Sequence, residues 1–213
     1  LTDTTYVARA AVLSALVAYG PEVARPLLVD ALGDKDWALR LRAAQLLDQI
    51  APSSGASARI RPAPPAHPAD WYARPGLVSP AVSTHAFIET DRGSVEIELY
   101  VLDAPVMVDA FVTLARRGFF DGIPFHRVVP DYVIQGGDPR GDGEGGPGFT
   151  LRDEYNQHPY LRGAVGMALD WADTGGSQFF ITLGPQPHLD GRYTVFGTVV
   201  AGMDIVDRLE RWD

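Results

Sequence analysis

Residues able to do chemistry are scattered through this chain, and most familiar constellations fail on spacing. Gly141, Gly143 and Gly146 fit G-x-G-x-x-G, the pattern in which backbone N–H groups at a helix N-terminus hold a pyrophosphate. Pro147-Gly148 follow at once, so no helix opens there and the run reads as a flexible loop flanking a substrate. Asp138, Asp142 and Glu144 offer hard oxygen donors, but not at the spacing of a calcium loop with its late bidentate glutamate. Ser177 lies in Gly175-Gly176-Ser177-Gln178-Phe179, and a nucleophile elbow would need glycine where Phe179 stands. The histidines at 67, 85, 126, 158 and 188 form no i, i+4 metal pair. Cysteine is absent, which removes disulfides, thiol nucleophiles and thiolate metal sites. Arg127 lies on the strand-like run Phe125-His126-Arg127-Val128-Val129. Taken alone it reads as an exposed strand arginine or one paired with an acid such as Asp138.

The elements that must position these groups fall into three zones. The chain has 213 residues, 46% hydrophobic and 21% charged, enough to bury a real core. Eighteen Lys plus Arg against 27 Asp plus Glu give a net charge of -9, which disfavours general binding to phosphate backbones. No apolar run approaches the roughly 18–20 residues of a membrane-spanning helix. The first residue is Leu1 rather than Met, which suggests processing or a piece of a longer protein. With the absence of cysteine, it leans the setting towards periplasmic or secreted.

Residues 1–51 read as three helices. The first, Thr4 to Tyr19, stops at Gly20-Pro21; the second runs to about Leu32; the third is capped by Asp34 or Asp36. Arg9-Ala10-Ala11 matches Arg42-Ala43-Ala44 at an offset of 33 residues, the period of helical-hairpin arrays. Residues 32–44 resemble a HEAT-type repeat, so this zone reads as a repeat fragment able to recruit a protein partner. Residues 52–82 carry repeated prolines and read as a semi-rigid linker without helix or central strand, pinned to a neighbour by Trp71 and Tyr72.

From residue 83 the pattern changes to short strands between turns. Val95, Ile97, Leu99 and Val101 alternate with polar residues as in a half-buried strand. Further strands are predicted over 125–129, 132–135, 164–169, 177–183 and 194–199. One helix is predicted after Asp103 with Pro105 in its first turn, its face of Met107, Phe111 and Leu114 plugging the sheet. Another begins near Met203. Many short antiparallel strands with two flanking helices imply a mainly β fold, a closed or nearly closed barrel.

Three stretches then converge. Phe125-His126-Arg127-Val128-Val129-Pro130 with Val133-Ile134-Gln135-Gly136-Gly137-Asp138-Pro139, Gly176-Ser177-Gln178-Phe179-Phe180-Ile181, and His188-Leu189-Asp190-Gly191 with Thr194-Val195-Phe196-Gly197 resemble, in order and spacing, the cyclophilin family of peptidyl-prolyl isomerases. The resemblance covers about residues 85–211. It implies a cofactor-free, metal-free enzyme acting on X-Pro bonds of polypeptides and assisting folding, with Arg127 as the catalytic group and Gln135 orienting it and contacting substrate. It also implies a proline pocket walled by Tyr132, Val133, Phe180 and Leu189, with Tyr193 at the rim and His126 and His188 among the binding residues. Ala168 and Leu169 would clamp the substrate backbone, with Gln178 beside them. Phe125, Phe179 and Phe196 would be core.

The chain departs from the best-known members at several points. Tyr132 replaces phenylalanine, His188 replaces the tryptophan of cyclosporin-sensitive members, Tyr193 replaces histidine, and Leu169-Asp170 replace Asn-Ala. The indole lost at His188 puts tight cyclosporin binding in doubt, since it supplies both apolar area and a hydrogen-bond donor. The resemblance also implies a final barrel strand after the last helix, for which no residues remain before Asp213. Ala58-Arg59-Ile60-Arg61 is a candidate to fill that place. The alternative reading is a non-catalytic binding or structural module within a larger assembly.

Overall fold

The computed structural model describes residues 6–61, 68–72 and 84–210. These form two compact units, one of residues 6–61 and 147–150 and one of residues 68–72, 84–146 and 151–210. Among the described residues no helix is long and apolar enough to cross a membrane.

The first unit holds α1 (Tyr6–Val17), α2 (Pro21–Ala31) and α3 (Trp37–Ile50). Leu13, Leu28, Leu39 and Leu47 meet between them, each almost fully buried. Asp36 stands at the N-cap of α3 as expected, but its carboxylate does not cap the helix. It accepts instead from the Arg9 guanidinium, which also reaches Asp34 at 2.6 Å. Arg9 is 4% exposed, and burying a guanidinium demands paired, hydrogen-bonded acids. The matching Arg42 makes a different contact, donating to Ser14 Oγ at 3.1 Å.

Residues 52–61 differ from the expected extended linker. A 3₁₀ turn (Pro52–Ser54) leads into a short helix, α4 (Ala56–Arg59), so residues 58–61 supply no barrel strand. The cause is Asp48. Its carboxylate accepts from Ala56 N at 2.8 Å, Ser57 N at 3.1 Å and the hydroxyls of Ser54 and Ser57, capturing donors that a first helical turn leaves free. These hydrogen bonds, led by Ser57, hold the Asp48 carboxyl well below its ordinary range. A further short helix, α5 (Ala69–Tyr72), contains Trp71 and Tyr72. The remaining linker positions, 62–67 and 73–83, lie outside the described residues, as do 211–213.

The second unit is a seven-stranded antiparallel sheet curled as a half-barrel. Its strands are β1 (His85–Thr90), β2 (Gly93–Leu99), β3 (Arg127–Val129), β4 (Val133–Gly136), β5 (Ala164–Met167), β6 (Phe179–Thr182) and β7 (Val195–Ala201). They lie in the order β1-β2-β7-β5-β6-β4-β3. Among the described residues β1 and β3 are the two edges, so the sheet does not close through hydrogen bonds.

Side chains alternate across its faces. The inner face sends Val95, Ile97, Ile134, Val165, Met167, Phe179, Ile181 and Phe196 into one core. There they meet Met107, Phe111 and Val108 of α6 (Pro105–Arg116) and Ile205 and Val206 of α7 (Met203–Glu210). Phe125 packs at its margin.

Pro105 begins α6 as predicted, but Asp103 does not cap it. That carboxylate meets His158 Nε2 at 2.9 Å. The cap comes from Glu154, far along the chain, which accepts from Val106 N at 3.0 Å and Met107 N at 2.8 Å. Burial pushes the Glu154 carboxyl above its ordinary value, only partly offset by these two donors. Glu154→Ala leaves both N–H groups without their acceptor, and is expected to cost about 1–2 kcal/mol in urea unfolding of the whole chain.

Candidate active site

Strand register assembles the site. Arg127 opposes Gln135 across β3 and β4, Gln135 opposes Phe180 across β4 and β6, and Phe180 opposes Gly166 across β6 and β5. Directly paired residues point to the same face. A guanidinium, a carboxamide and a phenyl ring therefore stand side by side on the outer face, opposite the main core. Gly166 ends the row because nothing larger fits: a Cβ there would lie 2.3 Å from Tyr160 Oη and 2.6 Å from Phe180 Cζ.

A second apolar cluster forms on this outer face. Val133, Tyr160, Ala164, Phe180, Leu189 and Val195 are its buried members, with Tyr132, Ala168 and Tyr193 packed around them. Phe180 stacks on Tyr160 at 5.5 Å and meets Tyr193 edge-on at 5.8 Å. A 3₁₀ turn (Pro187–Leu189) delivers Leu189 into the cluster while leaving His188 exposed. His188 stacks on Tyr132 at 5.7 Å, and the Arg127 guanidinium lies over the Tyr132 ring at 5.8 Å. Charge and apolar surface thus adjoin, the combination needed to grip a pyrrolidine ring beside a polarised amide.

Hydrogen bonds fix the polar end. Arg127 Nη1 donates to Gln135 Oε1 at 3.2 Å, and Gln135 Nε2 donates to Gln178 Oε1 at 2.9 Å. Arg127 therefore does not pair with Asp138, the partner its sequence position suggested.

The candidate residues divide as follows. Arg127, Gln135 and Gln178 form one hydrogen-bonded chain, and Tyr132, Val133, Ala168, Phe180, Leu189 and Tyr193 one apolar cluster. The Leu169 side chain packs against the inner core, and the main-chain contact that the resemblance implies does not call on it. Ala168 N–H donates to Gln178 O at 3.0 Å and is committed already. The His126 ring nitrogens are buried without a protein hydrogen-bond partner among the described residues, and His126 has no place in the cluster.

Two residues escaped the sequence reading. Tyr160, 1% exposed, backs the Phe180 ring; it lies in a loop without periodicity, so no pattern marked it. Burial pushes its phenol far above the ordinary range. The second is Asp138, for which the sequence suggests only a partner of Arg127; it is fully buried and accepts from Arg140 N at 2.7 Å and Gly143 N at 2.6 Å. Among the described residues no three acidic or histidine side chains converge to hold a metal ion.

A curled antiparallel sheet with an apolar slot and an adjoining guanidinium defines a peptide-binding isomerase of the rotamase type. Comparison with known proteins makes this specific: residues 85–213 match the model of the cyclophilin type peptidyl-prolyl cis-trans isomerase family, and the chain belongs to that family. It is 44% identical over 137 residues to a peptidyl-prolyl cis-trans isomerase of Helicobacter pylori, covering 62% of this chain and 84% of that one. It is 47% identical over 134 residues to peptidyl-prolyl cis-trans isomerase B of Bacillus subtilis, covering 62% and 94%. A crystal structure of a Cryptosporidium parvum cyclophilin type isomerase superposes with a TM-score of 0.59 at 33% identity, over 61% of this chain and 85% of that one. A structure with the same description, in the presence of the dipeptide Ala-Pro, gives 0.58 at 34% identity, over 60% and 85%.

Two outcomes follow from this geometry. Leu189→Ala removes a wall that is 5% exposed; it is expected to cost about 2–4 kcal/mol of stability and to raise KM for an X-Pro peptide more than it lowers kcat. The second concerns Asp138. Burial pushes this carboxyl up, but backbone N–H groups of Arg140, Gly143, Gly145 and Gly141 outweigh it, and the group titrates below its ordinary 3.8. A lowered carboxyl lends stability that is complete above the unfolded value and lost as pH falls through the folded one. Amide exchange at 140–145, corrected for its intrinsic pH dependence, should therefore lose protection below pH 3.8, and Asp138→Asn should already lack that protection at neutral pH.

Proposed function

We propose that the chain speeds rotation about X-Pro peptide bonds in unfolded or flexible polypeptides, and so assists their folding, with Arg127 stabilising the twisted amide. Resonance makes peptide rotation cost about 18–20 kcal/mol. Before proline the two isomers differ by only about 0.5–1 kcal/mol yet exchange over tens of seconds or longer. A catalyst needs no nucleophile or metal; it has to bind the twisted bond better than either planar form. Twisting localises the lone pair on the prolyl nitrogen, and a guanidinium donor favours that state over the delocalised one. A planar fork can serve carbonyl and nitrogen together, which an ammonium does poorly.

The observation that carries this reading is the row Arg127, Gln135, Phe180 on one face, with the ring-sized apolar cluster beside it. Phe180 and Leu189 would seat the pyrrolidine, Tyr132 and Tyr193 would close its sides, and Gln135 would hold Arg127 while contacting the substrate. The helical unit, with Val12, Tyr19, Val23 and Leu27 exposed, suits recruitment of another protein and would concentrate the isomerase near it.

Exchange NMR on a short X-Pro peptide tests the mechanism. The intact chain should accelerate exchange, and Arg127→Ala should lose about 10²–10³ of that acceleration, the size expected for removing one transition-state donor. A folded Arg127→Ala protein as fast as the parent would refute the assignment.

A further inference from the structure

Gln178 joins the arginine to the glycine-rich loop at 138–146, and the direction of every hydrogen bond in that join is fixed from both ends. Arg127 can only donate, so Gln135 must turn its oxygen towards it and its amide nitrogen towards Gln178. Gln178 then has to offer its oxygen to Gln135, which leaves its Nε2 for acceptors alone. Those acceptors are Gly143 O at 2.9 Å and Gly145 O at 2.8 Å. A backbone carbonyl is never a donor. The loop therefore selects the same orientation of both carboxamides that the guanidinium selects.

The loop owes its shape to one carboxylate. Asp138 Oδ1 accepts from Arg140 N and Oδ2 from Gly143 N, while the side chain itself is 0% exposed. Gly145 lies directly against it: a Cβ at that position would come within 1.8 Å of Asp138 Oδ1. The glycines that mimic a dinucleotide motif thus fold the backbone around an internal acid and aim two carbonyls at Gln178.

We propose that Asp138 is a positioning residue for the isomerase reaction, fixing the Arg127 guanidinium through the loop, Gln178 and Gln135. This rests on Arg127 being the group that acts on the substrate. Without Asp138 the Gly143 and Gly145 carbonyls lose their placement, the Gln178 amide is free to turn over, and Gln135 and the arginine are held by each other alone, with no second anchor from the loop. The apolar cluster that seats the proline does not include Asp138, so substrate affinity is left in place while the donor loses its aim.

The test is a mutant cycle read by exchange NMR on an X-Pro peptide, using Asp138→Ala, Arg127→Ala and the double variant in the full chain. Asp138→Ala should lower kcat about tenfold or more, as misplacement of a catalytic group does, with KM changed less than about twofold. In the Arg127→Ala background the same substitution should lower the residual rate by less than about twofold, because no guanidinium is left to aim. An equal loss in both backgrounds would mean that Asp138 only supports the fold, and would overturn the proposal. If Asp138→Ala does not fold, Gly145→Ala, which displaces the carboxylate from the other side, enters the same cycle with the same two outcomes. Should Arg127→Ala itself be fully active, the mechanism above fails first. Should it be slowed as expected while the Asp138 effect stays multiplicative, only this inference fails.

Discussion

The site depends on strand register above all. Four paired positions across β3, β4, β6 and β5 bring Arg127, Gln135, Phe180 and Gly166 into one line on one face. Because side chains alternate with a period of two, sliding any of these strands by one residue would exchange faces. Phe180 would enter the inner core and Phe179 would come out. The register is held by what lies beneath: Ile134, Ile181, Val165 and Met167 interdigitate under the row, and Phe179 meets the ring of Phe111 edge-on at 5.5 Å. A slipped strand would have to withdraw these side chains from a packed interior, at roughly 1.5–3 kcal/mol each. Core packing and the alignment of the reacting groups are therefore one constraint seen from two sides of the same sheet.

Much of this was legible in the residues and some was not. Helices and strands of the second unit lie within a few residues of where periodicity and Pro105 put them, and Met107, Phe111 and Leu114 are buried as their spacing implied. Strands β5 and β6 are buried on both faces, so their pattern could not say which of Phe179 and Phe180 faces the substrate side; only the family resemblance separated them. At Leu169 the side chain packs on the inner core, so what the resemblance implies there concerns the main chain alone. The helical turn at 56–59 defeated a composition-based reading because a single acid, Asp48, gathers four donors there. Caps contributed from far along the chain, such as Glu154 on α6, leave no local trace in a sequence.

The two apolar clusters divide labour. The inner one ties sheet to helices through α6 and α7. The outer one is smaller, and its rim residues Tyr100, Tyr132 and Tyr193 stay partly open. Aromatic rings dominate that rim because each combines a broad apolar face with a polar tip suited to a boundary between slot and solvent. The turn at 170–174 frames the same side: Thr174, 4% exposed, accepts from Asp170 N and Trp171 N and donates to Trp171 O. A buried hydroxyl satisfied three times over braces this turn.

Strand β3 is three residues long and stands at the margin of the sheet. Of its residues, Val128 leans on the interior and Arg127 alone is charged. Natural sheets discourage self-pairing by keeping marginal strands short and placing a cation on them. Arg127, the guanidinium proposed for catalysis, is a charge of the kind that discourages one molecule's margin from pairing with another's.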